Sequence, residues 1–538
     1  MKRPIFLHIL IFLVIIVVWV IVVSASGSTP RITTVAPEAA RPGDLIVIQG
    51  ENFGNDRGRG RVQIGAETPH HGDYESWSDS RIVVRVPEGT SSGLIHVTTS
   101  NGRSNGALFR NSAQEPDSAP DANVGLPEVS RITPEPAEVG AVITLSGDHF
   151  GDIRGEGVVL FTARKADQGH PFASSRGWVE PAAEELGYVS WTDTEIRVRV
   201  PEGAASGAVR VETRRGSSSA VELEISRAAG GMTFSDPRNV ALQHEVEITV
   251  PDTPEPPDRI YFWFPRLQRY PQQRRVQRLT HQGLEPVFLQ GPLELYRIRA
   301  PEPRETRLVR ATTLLDVYRV ETQVNTGRLQ TRYDPEDVFI RRYTASTELL
   351  PVEDPNVQSL GARAGRVGPN PYKQGRSLMD LVATDLDPVD EIGNIAVSTG
   401  LERGRGNAFT YAGAFVAALR ANGMPARVVA GSLLLDDALR RHYWAELYLY
   451  GIGWIPADPA LADGLHGASG GADAYFGRLP ADRVAFSRGV IRTQPMVPDS
   501  ERVQVPEMYF LARHHEEVVG DPRSYRITWR NVTLLGEY

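Results

Sequence analysis

The feature that most constrains this chain is an internal repeat. The segment PRITTVAPEAARPGDLIVIQGENFGN starts at Pro30, and PEVSRITPEPAEVGAVITLSGDHFGD starts at Pro127. Each runs on into a near-copy, WSDSRIVVRVPEGTSSGLIHVTT from Trp77 and WTDTEIRVRVPEGAASGAVRVET from Trp191. Gly50 matches Gly147, 97 residues on, and Trp77 matches Trp191, 114 on, so the second copy carries about 17 extra residues, around 163–186. Within the copies, Ile196-Val198-Val200 alternate with Arg197 and Arg199, and Ile82-Val84-Val86 keep the same spacing around Val83 and Arg85. A period of two predicts strands with one buried face. Pro87 and Pro201 end those strands, and the Glu-Gly pairs after them turn the chain. Two such units predict a pair of small β-sandwiches, with Asn52, Asp148 and His149 in corner loops as turn residues.

The pattern P…G…I.G.nFG, followed by VP.G..sG...V, resembles the IPT/TIG family of immunoglobulin-like modules. That resemblance implies spacers or binding surfaces without catalysis. We place the first module at 28–112, a polar Pro-rich linker at 113–126 and the second module at 127–228. From 229 to 345 alternation continues, as in His244 to Val250 and Ile260 to Phe264, and predicts a further β-sandwich-like domain. Arg266, Arg269, Arg274, Arg275 and Arg278 are expected to share one loop of that domain as a solvated basic face.

The N-terminus reads as a membrane signal. Lys2 and Arg3 precede an apolar run from Ile5 to Val23, interrupted only by His8. At about 1.5 Å per residue it nearly spans a hydrocarbon core of about 30 Å. We read residues 1–27 as an uncleaved signal anchor or transmembrane helix; Ser24 to Gly27 is small enough to be a cleavage site instead. The leading positive charges put the N-terminus inside and everything after about residue 28 outside the cytoplasm, periplasmic or at the cell surface.

Composition removes several functions. The chain has 538 residues and a net charge of −8. Mild acidity argues against a dedicated nucleic-acid binder. It contains no cysteine, so it has no disulfides, thiolate metal sites or thiol nucleophile. No cofactor and no metal site are expected. His514-His515-Glu516-Glu517 has metal-ligand residue types without ligand spacing and reads as a solvated run.

Residues 346–490 carry the chemistry-bearing pattern. One helix is expected from Lys373 to Leu386. A second follows Asn407, its possible cap, with Ala408, Tyr411, Ala412, Phe415 and Leu419 on one face. Gly423 and Pro425 stop it. A strand from Arg427 to Leu435 and another from His442 to Tyr448 follow, then a turn at Gly451 to Gly453 and the run Ile455 to Pro459.

The runs GRGNAFTYAGAFVAALRANGMPARVVAG and HYWAELYLYGIGWIPADPA resemble the core of the transglutaminase-like superfamily. The stretches from Tyr475 and from Arg483 resemble the tail of bacterial members. The resemblance implies a papain-like α+β fold in which a Cys opens a helix, a His-x-Trp strand follows and an Asp-Pro lies on the next. On this chain those positions are Ala408, His442 and Asp458. Asp458 is expected to orient the imidazole through Nδ1–H. Alanine keeps the helix but has no lone pair or acidic proton, so the remnant triad is expected to be inactive. Thr410 should point away from it. Tyr411 and Trp444 are candidates for lining a remnant cleft. Residues 491–538 read as a C-terminal β extension, added to a sheet edge.

The expectation is therefore a membrane-anchored extracytoplasmic pseudoenzyme that binds or scaffolds a protein, peptide or cell-wall partner. One alternative is a hydrolase or acyltransferase of the same family with altered catalytic residues. Another is a structural surface protein whose TIG modules make the contacts.

Overall fold

A computed structural model describes residues 28–65, 67–87, 90, 93–112, 125–152, 154, 157–163, 177–182, 186–290, 292–390, 395–493, 496, 500–505 and 508–538. The expected anchor at 1–27 and nearly all of the expected linker lie outside them. Among the described residues no helix is long and apolar enough to cross a membrane. The first module belongs to one compact unit, and residues 122–493 and 501–538 form a second.

The repeat is a structural repeat. In the first module, strands β1 (Arg31–Ala36), β2 (Leu45–Glu51), β3 (Tyr74–Trp77) and β4 (Arg81–Arg85) form a sheet in the order β1-β2-β4-β3. In the second, β5 (Glu128–Thr133), β6 (Val142–Asp148), β7 (Tyr188–Trp191) and β8 (Glu195–Arg199) repeat it as β5-β6-β8-β7. A second sheet backs each, and the alternating Ile and Val side chains fill the space between. The shared glycines have a steric cause. A Cβ on Gly50 would sit 2.0 Å from the Arg31 carbonyl oxygen, and one on Gly147 1.9 Å from that of Glu128. Asn52 and His149 both take φ of 63°, which supports the corner-turn reading.

The third β region comprises β9 (Gly230–Thr249), β10 (Arg259–Pro265), β11 (Gln273–Gly283), β12 (Leu293–Arg299) and β13 (Thr306–Val324). The arginines placed in a loop lie instead on or beside β11, and several are individually paired. Arg274 is buried under Tyr318, Arg275 meets Asp316 at 2.5 Å, and Arg278 meets Glu294 at 2.7 Å. Strand alternation separates side chains that sequence proximity had grouped.

Helices α1 (Val338–Thr344), α2 (Pro355–Gly365), α3 (Pro371–Asp385), α4 (Val397–Arg403) and α5 (Ala408–Ala421) follow. Asp337, Asp354 and Asn370 cap α1, α2 and α3, and proline at the first helical position of α2 and α3 costs no hydrogen bond. Helix α5 is buried on every side from Ala408 to Arg420, not on the single face expected. It is a central helix, enclosed by α2, α3 and the sheet. Its many small residues permit this; a Cβ on Gly361 of α2 would lie 2.9 Å from the Ala418 carbonyl oxygen.

The sheet under α5 has strands β14 (Ala426–Leu435), β15 (Ala438–Leu449), β16 (Gly453–Ala457) and β17 (Arg483–Arg488), ordered β16-β15-β14-β17. Asp436 and Asp437, with φ of 49° and 58°, make the two-residue turn between β14 and β15.

The C-terminal strands return to the third region. β18 (Glu501–Val503) and β19 (Glu516–Val519) extend the β10–β12 sheet, while β20 (Arg526–Trp529) and β21 (Thr533–Glu537) pair with β9. β19 lies inside its sheet, between β10 and β18, and so departs from the expected edge position. The run His514 to Glu517 is therefore buried, not solvated. Glu516 accepts hydrogen bonds from Tyr525 (3.0 Å) and Trp529 (2.9 Å). Burial pushes both imidazoles down, to about 4. Local polarity hid this because the cover comes from strands more than 200 residues earlier.

Candidate functional site

β15 and β16 are antiparallel, with Ala445 opposite Ala457. That register brings His442, on β15, to Asp458, just past the end of β16. His442 Nε2 lies 2.7 Å from Asp458 Oδ2, and both residues are 0% exposed. The contact is through Nε2, not the Nδ1 expected from sequence. The other ring nitrogen, Nδ1, is buried and has no hydrogen-bond partner among the described residues.

Asp458 has further duties. Its Oδ1 accepts the Leu461 backbone N–H at 3.1 Å and so caps α6 (Pro459–Ala462). Asp458-Pro459 is thus the same cap-then-proline device that starts α2 and α3. Its Oδ2 also accepts Arg483 Nη2 at 2.7 Å, and Arg483 in turn pairs with Asp482. Burial alone would raise the Asp458 pKa, but the charges and hydrogen bonds of His442 and Arg483 outweigh it. They hold the carboxyl well below its ordinary 3.8. Arg483 lies in the stretch that resembles the tail of bacterial family members. Its signal was an arginine at the start of a strand that pairs in the same sheet.

Ala408 opens α5, which packs on β15, and is 8% exposed. Asn407 accepts the Thr410 N–H at 3.2 Å, as the cap reading expected. The Thr410 hydroxyl donates to the Ile395 carbonyl at 2.8 Å. Ala408 is therefore a methyl group at the positive end of a helix dipole, where a thiolate would be stabilised.

The two cleft candidates do not line a cleft. Tyr411 and Trp444 are both 0% exposed and present no surface to a ligand. The Tyr411 hydroxyl is 2.6 Å from the Leu386 carbonyl and 2.5 Å from Asp463 Oδ2. Burial, then Asp463, pushes that phenol far above its ordinary value, which makes it a poorer nucleophile still. Trp444 stacks near His442, with ring centroids 6.4 Å apart, and its Nε1 is also unpartnered among the described residues. The glycine-rich segment after Asp458 supplies His466, unanticipated from sequence. Its ring lies 6.4 Å from that of His442, and its Nδ1 is 3.3 Å from Asp390. Among the described residues no group of three His, Cys, Asp or Glu could hold a metal ion.

A capped buried helix, an antiparallel sheet and a His–Asp pair across one hairpin make up an α+β domain. The family comparisons agree. Residues 361–459 match the model of the Transglutaminase-like superfamily, and residues 30–112 match that of the IPT/TIG domain. The chain is a β-rich multidomain protein that carries both.

A cyclomaltodextrin glucanotransferase of Niallia circulans is 38% identical over 64 residues, 12% of this chain and 9% of that one. The enzyme of the same name from Bacillus sp. (strain 1011) is 33% identical over 78 residues, 14% of this chain and 10% of that one. The chain thus spans about a tenth of these relatives' length. A solved structure named "Putative Cysteine Protease" from Cytophaga hutchinsonii is 14% identical with a TM-score of 0.36, covering 57% of this chain and 91% of that one. SGBP-B from a xyloglucan utilization locus in Bacteroides uniformis is 13% identical with a TM-score of 0.18, covering 54% and 99%. At these scores neither bears on what this chain does.

Proposed function

We propose that this protein is a membrane-anchored, extracytoplasmic binding or scaffolding protein whose transglutaminase-like domain is catalytically silent. Its partner would be a protein, a peptide or a cell-wall polymer. The observation that carries this is Ala408 at the start of α5 in a chain without cysteine, in a domain that retains the His442–Asp458 pair. The pair has its own structural reason to persist, because Asp458 caps α6 and anchors Arg483. Nucleophilic catalysis needs a group that can bear the acyl intermediate, and a methyl group cannot. Amine-incorporation and peptidase assays on the protein test the reading. Turnover that disappears in His442→Ala would sink it.

The second reading, an enzyme of altered chemistry, is favoured by one observation. His442 is held against Asp458 through Nε2 and leaves Nδ1 without a hydrogen-bond partner among the described residues, the arrangement a general base acting on water requires. The same assay decides between them.

A further inference from the structure

The two modules share an arginine that closes the same turn. Arg85 Nη1 donates to the Gly43 carbonyl at 2.6 Å, and Arg199 Nη1 donates to the Gly140 carbonyl at 2.7 Å. Both glycines have left-handed φ, 91° and 85°. Both turns are tied to the strand after the arginine, Gly43 N–H to Val86 and Gly140 N–H to Val200. The local architecture is the same; the surroundings differ.

In the second module this surface is a docking face. Arg199 Nη2 grips both carboxylate oxygens of Asp337, at 2.8 and 3.0 Å, and its guanidinium lies 4.4 Å from the Phe339 ring centroid. Asp337 is the N-cap of α1, so the arginine reads a capping carboxylate with an aromatic ring two residues on. Gly140 receives the Tyr448 ring; a Cβ there would lie 1.8 Å from its hydroxyl oxygen. The Trp454 N–H donates to Glu202 at 2.7 Å. Arg199 is left 6% exposed.

In the first module the matching surface is open. Nothing lies within 4 Å of a Cβ built on Gly43. The Arg85 side chain is 37% exposed and its outer nitrogen pairs with Glu75, itself 51% exposed, at 3.0 Å. An exposed pair of this kind holds an arginine weakly. The second module has Val189 where the first has Glu75, so it offers its arginine no rival carboxylate.

We propose that the Gly43–Arg85 face of the first module is a docking surface for a partner protein that presents a helix-capping carboxylate followed two residues later by an aromatic ring. The occupant's chemistry is taken from the one that the twin surface already holds. Arg85 would exchange Glu75 for the partner's carboxylate, and its guanidinium would take the partner's ring as Arg199 takes that of Phe339. This extends the binding reading to a module that holds no part of the His442 site, so either can fail without the other.

The test uses the full chain in mild detergent and a fluorescent synthetic peptide of residues 334–346, which carries Asp337 and Phe339. Fluorescence anisotropy should rise saturably. Affinity should fall at least tenfold with Arg85→Glu in the chain, or with Asn at the position of Asp337 in the peptide. Glu75→Ala frees Arg85 and should tighten binding by about two- to fivefold. Thermal melts of Arg85→Glu confirm that this exposed change leaves the fold intact. No saturation at millimolar peptide, or an affinity indifferent to Arg85→Glu, overturns the proposal. So does self-association of the chain that Arg85→Glu abolishes without any peptide binding, since the occupant is then a second copy.

Discussion

Replacing Arg483 with methionine tests whether the candidate site is held together electrostatically. Arg483 is 3% exposed and reaches Asp458 Oδ2 with Nη2 at 2.7 Å and Nε at 3.3 Å. Methionine keeps much of the volume and removes the charge. Asp458 then remains buried at 0% exposure with His442 and the Leu461 N–H as its partners. Breaking a buried pair from one side costs about 3–5 kcal/mol, because it strands the other charge. For a unit of this size that is on the order of 10 °C in thermal midpoint. The pH dependence gives a second handle. In the native protein the Asp458 carboxyl sits below its unfolded value near 3.8, so its stabilisation is full above that pH and fades as pH falls toward the lower folded value. Without Arg483, burial raises the folded value. The variant's deficit should be largest at neutral pH and should narrow as pH drops through the carboxylate range. Urea melts followed by tryptophan fluorescence from pH 7 to 3 read both quantities. A loss under about 1 kcal/mol, or a deficit that is flat across that range, would refute the reasoning.

Three other outcomes follow from the same geometry. Ala408→Cys should fold, since the site is a helix start, and its thiol should be alkylated at pH 7 faster than a free thiol of pKa about 8.5; iodoacetamide kinetics with and without His442→Ala show whether the imidazole assists. Gly431→Ala should destabilise by roughly 1–3 kcal/mol or more, because its Cβ would stand 2.0 Å from the Val484 carbonyl oxygen and push away the strand that carries Arg483; a normal denaturation midpoint contradicts this. Asp337→Ala removes a helix cap and the Arg199 partner together, for about 2–4 kcal/mol, and should speed limited proteolysis between the second module and α1.

Much of the fold was legible in the sequence because its determinants are local. The period-two runs of the repeat, the fixed glycines and the cap-then-proline dipeptides at Asp354, Asn370 and Asp458 each act within a few residues. The hairpin register that joins His442 to Asp458 is local too, since the two strands are adjacent and the turn between them is short. The alanine at 408 needs no structure to read.

Tertiary structure decided what depends on partners far away in the chain. Arg483 reaches Asp458 only because β17 joins the sheet on the far side of β14. His514 to Glu517 is buried only because β19 returns between two other strands. Tyr411 and Trp444 sit inside because α5 is enclosed on all sides, and the ring nitrogen that meets Asp458 follows from the approach of β16. Two modules of the same architecture likewise acquire different surfaces, one arginine gripping Asp337 and its twin facing solvent. A sequence fixes the short-range hydrogen bonds and sterics of each segment. Burial is a property of what packs over it, and so the charge partners and exposed faces that govern function are set by long-range topology.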